Sequence, residues 1–264
     1  MKIGFIGCGN MATAMLKGIL KSGEVKNADM IASAKSDKTR EKIEKELGIQ
    51  KADTNAQVVD FADVVFLAVK PQFLEEVLDE IKDNVKEGQI FISIAPGKTL
   101  QWLGEHLGEG TKIIRTMPNT PAMVGEGMTA LCVNEQVTEQ ETLLAVTLCN
   151  TFGKTEVIPE RLMDVVVGVS GSSPAYVFMF LEAMADAAVA DGMPRAQAYK
   201  FAAQAVLGSA KLMLGTGKHP GELKDMVCSP AGTTIQAVRV LEEKGLRSAV
   251  IEAQMECVKK AKGM

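Results

Sequence analysis

Residues 2–15 read KIGFIGCGNMATAM, and this stretch decides the predicted fold. A short apolar strand pattern leads into a GxGxxA turn formed by Gly7, Gly9 and Ala12, and a helix pattern follows. In such a turn Gly7 permits the tight bend, Gly9 lets the backbone approach a pyrophosphate, and Ala12 lets the helix pack on the sheet. The helix N-terminus then faces the phosphates. GxGxxA alone is weak evidence, so its position between a strand and a helix carries the prediction of a dinucleotide site.

The rest of the first half continues this alternation of strand and helix patterns. Strands are predicted over 2–6, 30–33, 64–69, 90–94, 112–116, 128–133 and 155–158, and helices over 10–22, 36–47, 72–83, 99–107 and 139–152. The alternation is typical of βαβ units in a largely parallel, doubly wound sheet. We therefore predict an α/β fold in which residues 1–160 form a Rossmann domain that binds the dinucleotide.

The second part of the chain has helix patterns only. Pro174 favours the first turn of a helix that stops at Gly192, and Pro194 opens another that stops near Gly215. Further helices are predicted over 222–227, 233–244 and 246–260. These helices are rich in Ala and Met and apolar on several faces, which indicates either a bundle core or, as we prefer, burial against a second subunit. Residues 161–264 are predicted to be an all-helical dimerisation domain.

Composition argues against several classes of function. A net charge of -4 and a pI near 5.4 leave no basic excess for the phosphates of a nucleic acid. Apolar runs such as 64–69 are far shorter than the roughly 20 residues of a membrane span. The chain also enters its first strand directly after Met1, without room for a signal peptide. We expect a cytoplasmic protein with neither a nucleic-acid nor a membrane partner.

The cysteines and histidines indicate no metal site. The five cysteines are scattered without a CxxC pair, and the chain has two histidines. Neither a zinc site nor a disulfide framework is therefore predicted. Each cysteine is expected to be a small core residue rather than a nucleophile.

The end of the second predicted strand distinguishes NAD from NADP. An NAD site usually has an acid there, which accepts a hydrogen bond from the ribose 2′-hydroxyl and would repel a 2′-phosphate. Here Ser33 and Ser36 offer hydroxyl donors and Lys35 a positive charge. NADPH is the predicted coenzyme, with NADH as the alternative. Two other interpretations stay open: Lys35 is merely solvated, or the strand ends later and Asp37 is the acid.

The other predicted coenzyme contacts follow strand ends, because the carboxyl ends of parallel strands form the ligand crevice. Asn55 is interpreted either as a helix N-cap or as a contact near the adenine ribose, and Lys70 either as a contact or as a solvated side chain. The full predicted set is Ile6, Gly7, Cys8, Gly9, Asn10, Met11, Ser33, Lys35, Ser36, Asn55, Ala68, Val69, Lys70, Pro71, Ala95, Pro96, Gly97 and Asn119.

Three polar segments further along predict a substrate site. RTMPNTPAMVGEG (115–127) predicts a rigid polar loop that faces the crevice. GVSGSSPAYVF (168–178) places Ser172 near a helix N-terminus, where anions are favoured. HPGELKDMVCSPAGTTIQAVRVLE (219–242) contains a hydroxyl-rich helix start that suits a carboxylate. Each segment alone is interpreted as a helix-capping motif, whereas the presence of all three favours a substrate site.

Together these motifs resemble the pyrroline-5-carboxylate reductase family over essentially the whole chain. FIGCGNMATAM, AVKP, MPNTP and GSSPAY carry part of the match, and HPGELKDMV followed by SPAGTTIQAVRVLE is its most specific element. The resemblance implies NAD(P)H-dependent reduction of 1-pyrroline-5-carboxylate to L-proline, the last step of proline biosynthesis. It also implies a Rossmann domain followed by a helical substrate-binding domain that forms an intertwined homodimer, with a decamer of dimers arranged in a ring as the larger alternative.

The resemblance also assigns site residues. It implies that Thr234 hydrogen-bonds the ring nitrogen of the substrate, while Ser229, Gly232 and Thr233 hold its carboxylate or shape the loop. By the same resemblance Ser33, Lys35 and Asn55 meet the adenosine-phosphate end of NADPH. The chain departs from the family pattern at Ser173 and Ala231, where glycine is common, and Lys35 lies at a variable position.

The implied chemistry needs no strong general acid. Hydride passes from nicotinamide C4 to the imine carbon, and an iminium substrate arrives with its nitrogen already protonated. Thr234 then orients the nitrogen, and catalysis depends on holding the reacting carbons about 3–3.5 Å apart. The absence of a His- or Cys-centred motif agrees with this chemistry.

Two other functions compete with this one. A β-hydroxyacid dehydrogenase or a related imine reductase shares the plan of a Rossmann domain followed by helices. The dehydrogenase needs a base, generally a lysine in the long helix. Residues 174–191 contain no Lys or His, although Lys200 and Lys211 follow, so this alternative is weakened rather than excluded. An NADP-binding regulator without turnover is opposed by the intact SPAGTTI segment.

Overall fold

The structure is a computed structural model that describes residues 1–263. The strands within these residues are β1 (Ile3–Ile6), β2 (Met30–Ser33), β3 (Gln50–Lys51), β4 (Val64–Leu67), β5 (Ile90–Ser93), β6 (Lys112–Met117), β7 (Gly127–Val133) and β8 (Gly153–Val157). The α-helices are α1 (Asn10–Ser22), α2 (Asp37–Lys45), α3 (Asn55–Phe61), α4 (Leu74–Ile81), α5 (Leu100–Leu107), α6 (Glu139–Asn150), α7 (Met163–Val166), α8 (Ser173–Ala190), α9 (Arg195–Thr216), α10 (Pro220–Val227), α11 (Thr233–Glu243) and α12 (Leu246–Lys262).

The strands form one sheet in the order β3-β2-β1-β4-β5-β6-β7-β8. The first six strands of that order are parallel, β7 runs antiparallel to β6, and β8 runs parallel to β7. The order of the six parallel strands is that of a Rossmann sheet. The predicted α/β class with a doubly wound, largely parallel sheet is therefore confirmed.

Both faces of the sheet are buried, which explains why the strands are continuous apolar runs. Side chains alternate between two cores: Phe5 and Phe66 stack with ring centroids 4.5 Å apart in one core, while Ile6 and Leu67 belong to the other. All four residues have no exposed surface. The sheet therefore lies between two apolar cores, which support the loops that follow the ends of its strands.

Local structure differs from the sequence-based prediction at three places. Strand β3 was not predicted, because its two residues are exposed and carry no apolar alternation. The N-cap of α3 is Thr54, whose hydroxyl accepts from Gln57 N, so the interpretation of Asn55 as the N-cap is wrong. A short helix, α7, continues into one π-helical segment, Val167–Gly171, ahead of α8.

The chain divides into two compact units. The first comprises Met1–Ser172 with the last residues from Val258, and the second comprises Ser173–Cys257. The first unit extends beyond residue 160 because Met163 packs with Ala130 and Cys132. A functional boundary between residues 160 and 161 stays a prediction.

The second unit has large apolar side chains on its surface. Phe178, Met179, Phe201 and Leu214 are 66%, 70%, 68% and 84% exposed in the single chain. By length and composition the stretch Glu160–Ala190 could cross a membrane, since its most apolar window has a mean hydropathy of 1.4 and is 6% buried. This stretch is longer than the apolar runs considered from the sequence, because it mixes Ala and Met with few charges instead of forming one unbroken apolar run.

Candidate active site

One edge of the sheet collects the predicted coenzyme residues of the first unit. Because β1, β2, β4, β5 and β6 are parallel, their carboxyl ends lie at the same edge. The predicted residues lie at or just after those ends: residues 6–11 at the end of β1, 33–36 at the end of β2, 68–71 after β4, 95–97 after β5 and Asn119 after β6. This edge is where open α/β sheets bind their ligands.

The glycine turn after β1 has the geometry of a pyrophosphate site. Gly7 has φ +92, and a Cβ there would lie 2.7 Å from the carbonyl oxygen of Ala68, so only glycine fits. Gly9 is the N-cap of α1, has no side chain to cap it, and has no atom within 4 Å of where a Cβ would stand. Ala12 is 1% exposed in the core. The predicted turn and helix-packing roles of Gly7 and Ala12 are confirmed, and the open N-terminus of α1 fits a dinucleotide phosphate.

Three side chains from three elements meet beside the end of β2. The Ser33 hydroxyl donates to Asn55 Oδ1 over 2.6 Å, and Asn55 Nδ2 donates to Glu80 Oε2 over 2.6 Å. The backbone N–H of Asn55 donates to Glu80 Oε1 over 3.2 Å. Sequence reasoning missed Glu80, because it is an ordinary exposed acid on the amphipathic helix α4.

The residues after β2 fit the 2′-phosphate of NADP. Strand β2 ends at Ser33, so Asp37 is not the strand-end acid of an NAD site; it lies in the first turn of α2, 3.7 Å from Arg40. Lys35 is exposed, and its Nζ lies 5.3 Å from the ring centroid of Phe73, a cation–π contact. Ser36 is the N-cap of α2 and accepts from Thr39 N over 3.3 Å.

Asn119 has structural hydrogen bonds on both sides of its amide. Nδ2 donates to the Ser170 carbonyl over 2.9 Å, and Oδ1 accepts from Met128 N over 2.8 Å. Asn119 is 8% exposed. Asn119 therefore connects the loop after β6 to the π-helical segment. That segment ends at a 2.8 Å hydrogen bond, which Ser172 N donates to the Val167 carbonyl. Such π-helical segments are frequent at functional sites.

The predicted substrate residues of the second unit surround one turn. Gly232 N donates to the Ser229 carbonyl over 3.0 Å, and Ala231, third in this turn, has φ 59, as in a type II turn. Helix α11 begins at Thr233, with Gly232 as its N-cap. The structure thus brings Ser229, Gly232, Thr233 and Thr234 together, whereas Ser172 is the last residue of the first unit's main segment.

Thr234 has a free hydroxyl at the start of α11. Its side chain is half-buried and has no hydrogen-bond partner among residues 1–263. A hydroxyl in this position can accept from a ligand N–H or donate to a ligand acceptor. The turn before it offers backbone N–H groups that suit a carboxylate.

A separate apolar cavity in the second unit has a different character. It has a volume of about 440 Å³ and is lined by Phe178, Met179, Leu181, Glu182, Tyr199 and Ala203. None of the predicted substrate residues lines it. Its exposed aromatic and Met side chains are better suited to contact another protein surface than to bind a small polar acid.

Burial disfavours the thiolate form of three of the five cysteines. Burial raises the pKa of Cys8, and it raises the pKa values of Cys132 and Cys149 to about 12. The prediction of core cysteines is confirmed for these three, whereas Cys228 and Cys257 are half-buried. Among residues 1–263, no group of three or more His, Cys, Asp or Glu side chains could hold a metal ion.

Known proteins resemble this chain over its whole length. Residues 160–264 match the family model for pyrroline-5-carboxylate reductase dimerisation, and residues 2–97 match that of NADP oxidoreductases, coenzyme F420-dependent. The pyrroline-5-carboxylate reductase of Escherichia coli is 55% identical over 260 residues, which are 98% of this chain and 97% of the relative.

Solved structures agree with this relationship. The pyrroline-5-carboxylate reductase of Coxiella burnetii has a TM-score of 0.93 and 35% identity, covering 99% of this chain and 97% of its own. That of Plasmodium falciparum, solved with NADP bound, has a TM-score of 0.89 and 29% identity, covering 100% and 97%. The motifs, the fold and these matches agree, and the chain belongs to the pyrroline-5-carboxylate reductase family.

Proposed function

We propose that this chain reduces 1-pyrroline-5-carboxylate to L-proline with NADPH, the last step of proline biosynthesis. In a chain of this family, the observation that carries the proposal is the unpaired hydroxyl of Thr234 beside the Ser229–Gly232 turn. The coenzyme is NADP: residues 2–97 match an NADP oxidoreductase model, and the glycine turn and the residues after β2 fit it.

The protein's contribution to the reaction is positioning. When bound, the reduced nicotinamide supplies the hydride for the imine carbon. Thr234 Oγ1 accepts the N–H of the protonated ring nitrogen and so fixes which face of the imine is presented. Ser229 and Thr233 hold the substrate carboxylate through hydroxyl and backbone N–H groups, with Ser172 as a further contact. Gly232, whose N–H is donated to the Ser229 carbonyl, shapes the turn. Because the iminium brings its own proton, no side chain has to transfer one.

The rest of the predicted coenzyme set lines the sheet edge in this proposal. Gly7, Gly9 and their neighbours face the pyrophosphate, and Ser33, Lys35 and Asn55 face the 2′-phosphate. The residues after β4 and β5 face the nicotinamide, with Asn119 positioning the adjoining loop. NADH is the weaker coenzyme, because only the 2′-phosphate makes use of the charge on Lys35.

The protein is an oligomer built on its helical unit. The match of residues 160–264 to a dimerisation domain supports a second copy, rather than lipid, as the cover of its exposed apolar side chains. The proposed assembly is a homodimer, with a decamer of dimers arranged in a ring as its larger form. The proposed location is the cytoplasm, without a membrane or nucleic-acid partner.

Substitution of Thr234 tests the assigned chemistry. Thr234→Ala is expected to lower kcat/KM for 1-pyrroline-5-carboxylate by about 10- to 100-fold, since a hydrogen bond to a charged group contributes roughly 1.5–3 kcal/mol. Thr234→Ser should restore most of the activity. NADPH affinity, measured by fluorescence titration, should stay within about twofold for both variants.

Three outcomes would contradict the proposal in different ways. Loss of NADPH affinity in Thr234→Ala would mean that the residue is assigned to the wrong end of the site. Tight NADPH binding by the unmodified protein without oxidation of NADPH in the presence of substrate would favour the regulator. Oxidation of a 3-hydroxy acid that is lost in Lys200→Ala or Lys211→Ala would favour the dehydrogenase.

A further inference from the structure

Glu80 is the outer member of a chain of hydrogen bonds that begins at the end of β2. It lies on α4, separated by 25 positions from Asn55, and the two residues share two hydrogen bonds. Both carboxylate oxygens accept from the same partner, one from the backbone N–H and one from Nδ2. Asn55 in turn accepts from the hydroxyl of Ser33, which is 4% exposed.

The carboxylate of Glu80 determines which way the amide of Asn55 faces. An ionised carboxylate only accepts hydrogen bonds, so the side of Asn55 that faces it has to be the NH₂ group. The amide oxygen is then directed to Ser33, whose hydroxyl hydrogen it accepts. One N–H of the Asn55 amide remains available to a ligand.

This orientation suits an anion beside β2. A 2′-phosphate accepts hydrogen bonds and needs a donor, which here is the second N–H of Asn55, because the Ser33 hydroxyl donates its hydrogen to Asn55 Oδ1. If the amide were reversed, its oxygen would face the Glu80 carboxylate, which has no hydrogen to donate, and its NH₂ group would face the Ser33 hydroxyl. Glu80 is exposed, so water screens its repulsion of a phosphate, whereas its hydrogen bond from Asn55 Nδ2 is direct and 2.6 Å long.

We propose that Glu80 is a positioning residue for the 2′-phosphate of NADPH, because it holds the Asn55 amide so that its second N–H is available to the phosphate. The inference rests on the proposed function, since it takes Ser33 and Asn55 as coenzyme contacts. Glu80 itself does not touch the coenzyme. The orientation favours NADPH over NADH, because only NADPH carries the 2′-phosphate that accepts from the second N–H of Asn55.

Coenzyme affinities of Glu80 variants test this role. In Glu80→Ala the Kd for NADPH, measured by fluorescence titration, is expected to rise about tenfold, while the Kd for NADH changes by less than about twofold. Glu80→Gln offers Asn55 one acceptor oxygen instead of two, and its NH₂ group can only donate, so it should recover the NADPH affinity only in part. Glu76→Ala is the matched control, because it removes the same charge from an exposed position one turn earlier on α4 and should leave both Kd values unchanged.

A double-mutant comparison separates positioning from a direct effect. In an Asn55→Ala background, adding Glu80→Ala should leave the NADPH Kd unchanged, because the partner through which Glu80 acts is gone. The inference is overturned if the two losses add, if Glu80→Ala tightens NADPH binding as simple removal of a repulsive charge would, or if NADH weakens equally. A merely structural role for Glu80 would lower the urea midpoint without changing the ratio of the two Kd values.

The measurements distinguish a failure of the proposed function from a failure of the proposed role of Glu80. If the unmodified protein does not bind NADPH, the proposed function fails and Glu80 has nothing to position. If the unmodified protein binds NADPH and reduces 1-pyrroline-5-carboxylate, but Glu80→Ala keeps the same ratio of Kd values, only the role of Glu80 is wrong.

Discussion

Ala231 and Gly232 show how a single Cβ shapes the proposed substrate turn. Ala231 is the one non-glycine residue with a positive φ within residues 1–263. The left-handed conformation costs an L-residue roughly 1–2 kcal/mol, and glycine is the usual residue at this position of a type II turn. At Gly232 a Cβ would collide with the Ser229 hydroxyl and lie 3.1 Å from the Ser229 carbonyl oxygen. Backbone strain is therefore tolerated at Ala231, whereas Gly232 has no room for a side chain.

Ala231→Gly and Gly232→Ala are expected to have different effects, the first on stability and the second on activity. Ala231→Gly should raise the free energy of unfolding by about 0.5–1 kcal/mol, the relieved strain less the entropy that glycine adds to the unfolded chain. Gly232→Ala should lower kcat/KM at least about tenfold, because Ser229 has to move. Urea unfolding and steady-state kinetics would measure these effects. A destabilised Ala231→Gly, or a fully active Gly232→Ala, would show that the turn is described wrongly.

At the scale of elements, α6 illustrates how a helix start is fixed by local and distant partners together. Thr138 and Glu141 form a capping box, in which Glu141 N donates to Thr138 Oγ1 over 3.3 Å and Glu141 Oε2 accepts from Thr138 N over 2.9 Å. Lys112, at the start of β6, donates to Glu141 Oε1 over 2.5 Å. Burial opposes ionisation of Glu141, but the hydrogen bonds from Lys112 and Thr138 outweigh it and hold its pKa below the ordinary value.

The lowered pKa of Glu141 predicts a pH-dependent contribution to stability. Glu141→Ala is expected to reduce the free energy of unfolding by about 1–2 kcal/mol near neutral pH, where the carboxylate is charged and its bonds are made. Because the folded pKa is depressed, the contribution is present above the unfolded pKa and disappears as the pH falls through the folded pKa.

Urea unfolding at a series of pH values, at fixed protein concentration, measures the contribution of Glu141. Glu139→Ala removes a first-turn charge that is not part of the capping box and should cost only about 0.3–1 kcal/mol. A difference between Glu141→Ala and the unmodified protein that persisted undiminished into acid would contradict the assigned ionisation.

At the scale of the whole molecule, the apolar surface of the helical unit has to be covered. Large exposed apolar patches on soluble proteins mark interaction sites, and burying them contributes roughly 25 cal/mol per Å². Phe178 and Met179 are 66% and 70% exposed and line the apolar cavity of this unit. Both lie within the region that matches the dimerisation model.

A charge on this surface should separate the subunits. Phe178→Glu is expected to convert the oligomer to a monomer or to lower its association constant at least about 100-fold, since an unpaired buried charge costs several kcal/mol. Sedimentation velocity over a range of concentrations would measure the change. Leu143→Glu, at a residue that is 65% exposed on α6 and outside residues 160–264, is the matched control and should keep the assembly intact. Dissociation by the control but not by Phe178→Glu would place the interface on the first unit.

The sequence by itself was enough to predict the alternation of strands and helices, the turn at Gly7 and the helical second half. These features depend on neighbouring residues: apolar periodicity, a positive φ that glycine adopts freely, and prolines at helix starts. The two-residue strand β3 escaped prediction because it has no apolar pattern of its own and forms only by pairing with β2.

Only the tertiary structure decided what the side chains around the site do. Asn55 binds a partner 25 positions away, and Asn119 binds one 51 positions away. Neither pairing leaves a periodic or compositional trace, because an exposed glutamate and a backbone carbonyl look the same in sequence wherever they lie. Hydrogen bonds of this kind depend on distances set by the packing of whole helices against the sheet, so they follow from the folded chain and not from its local patterns.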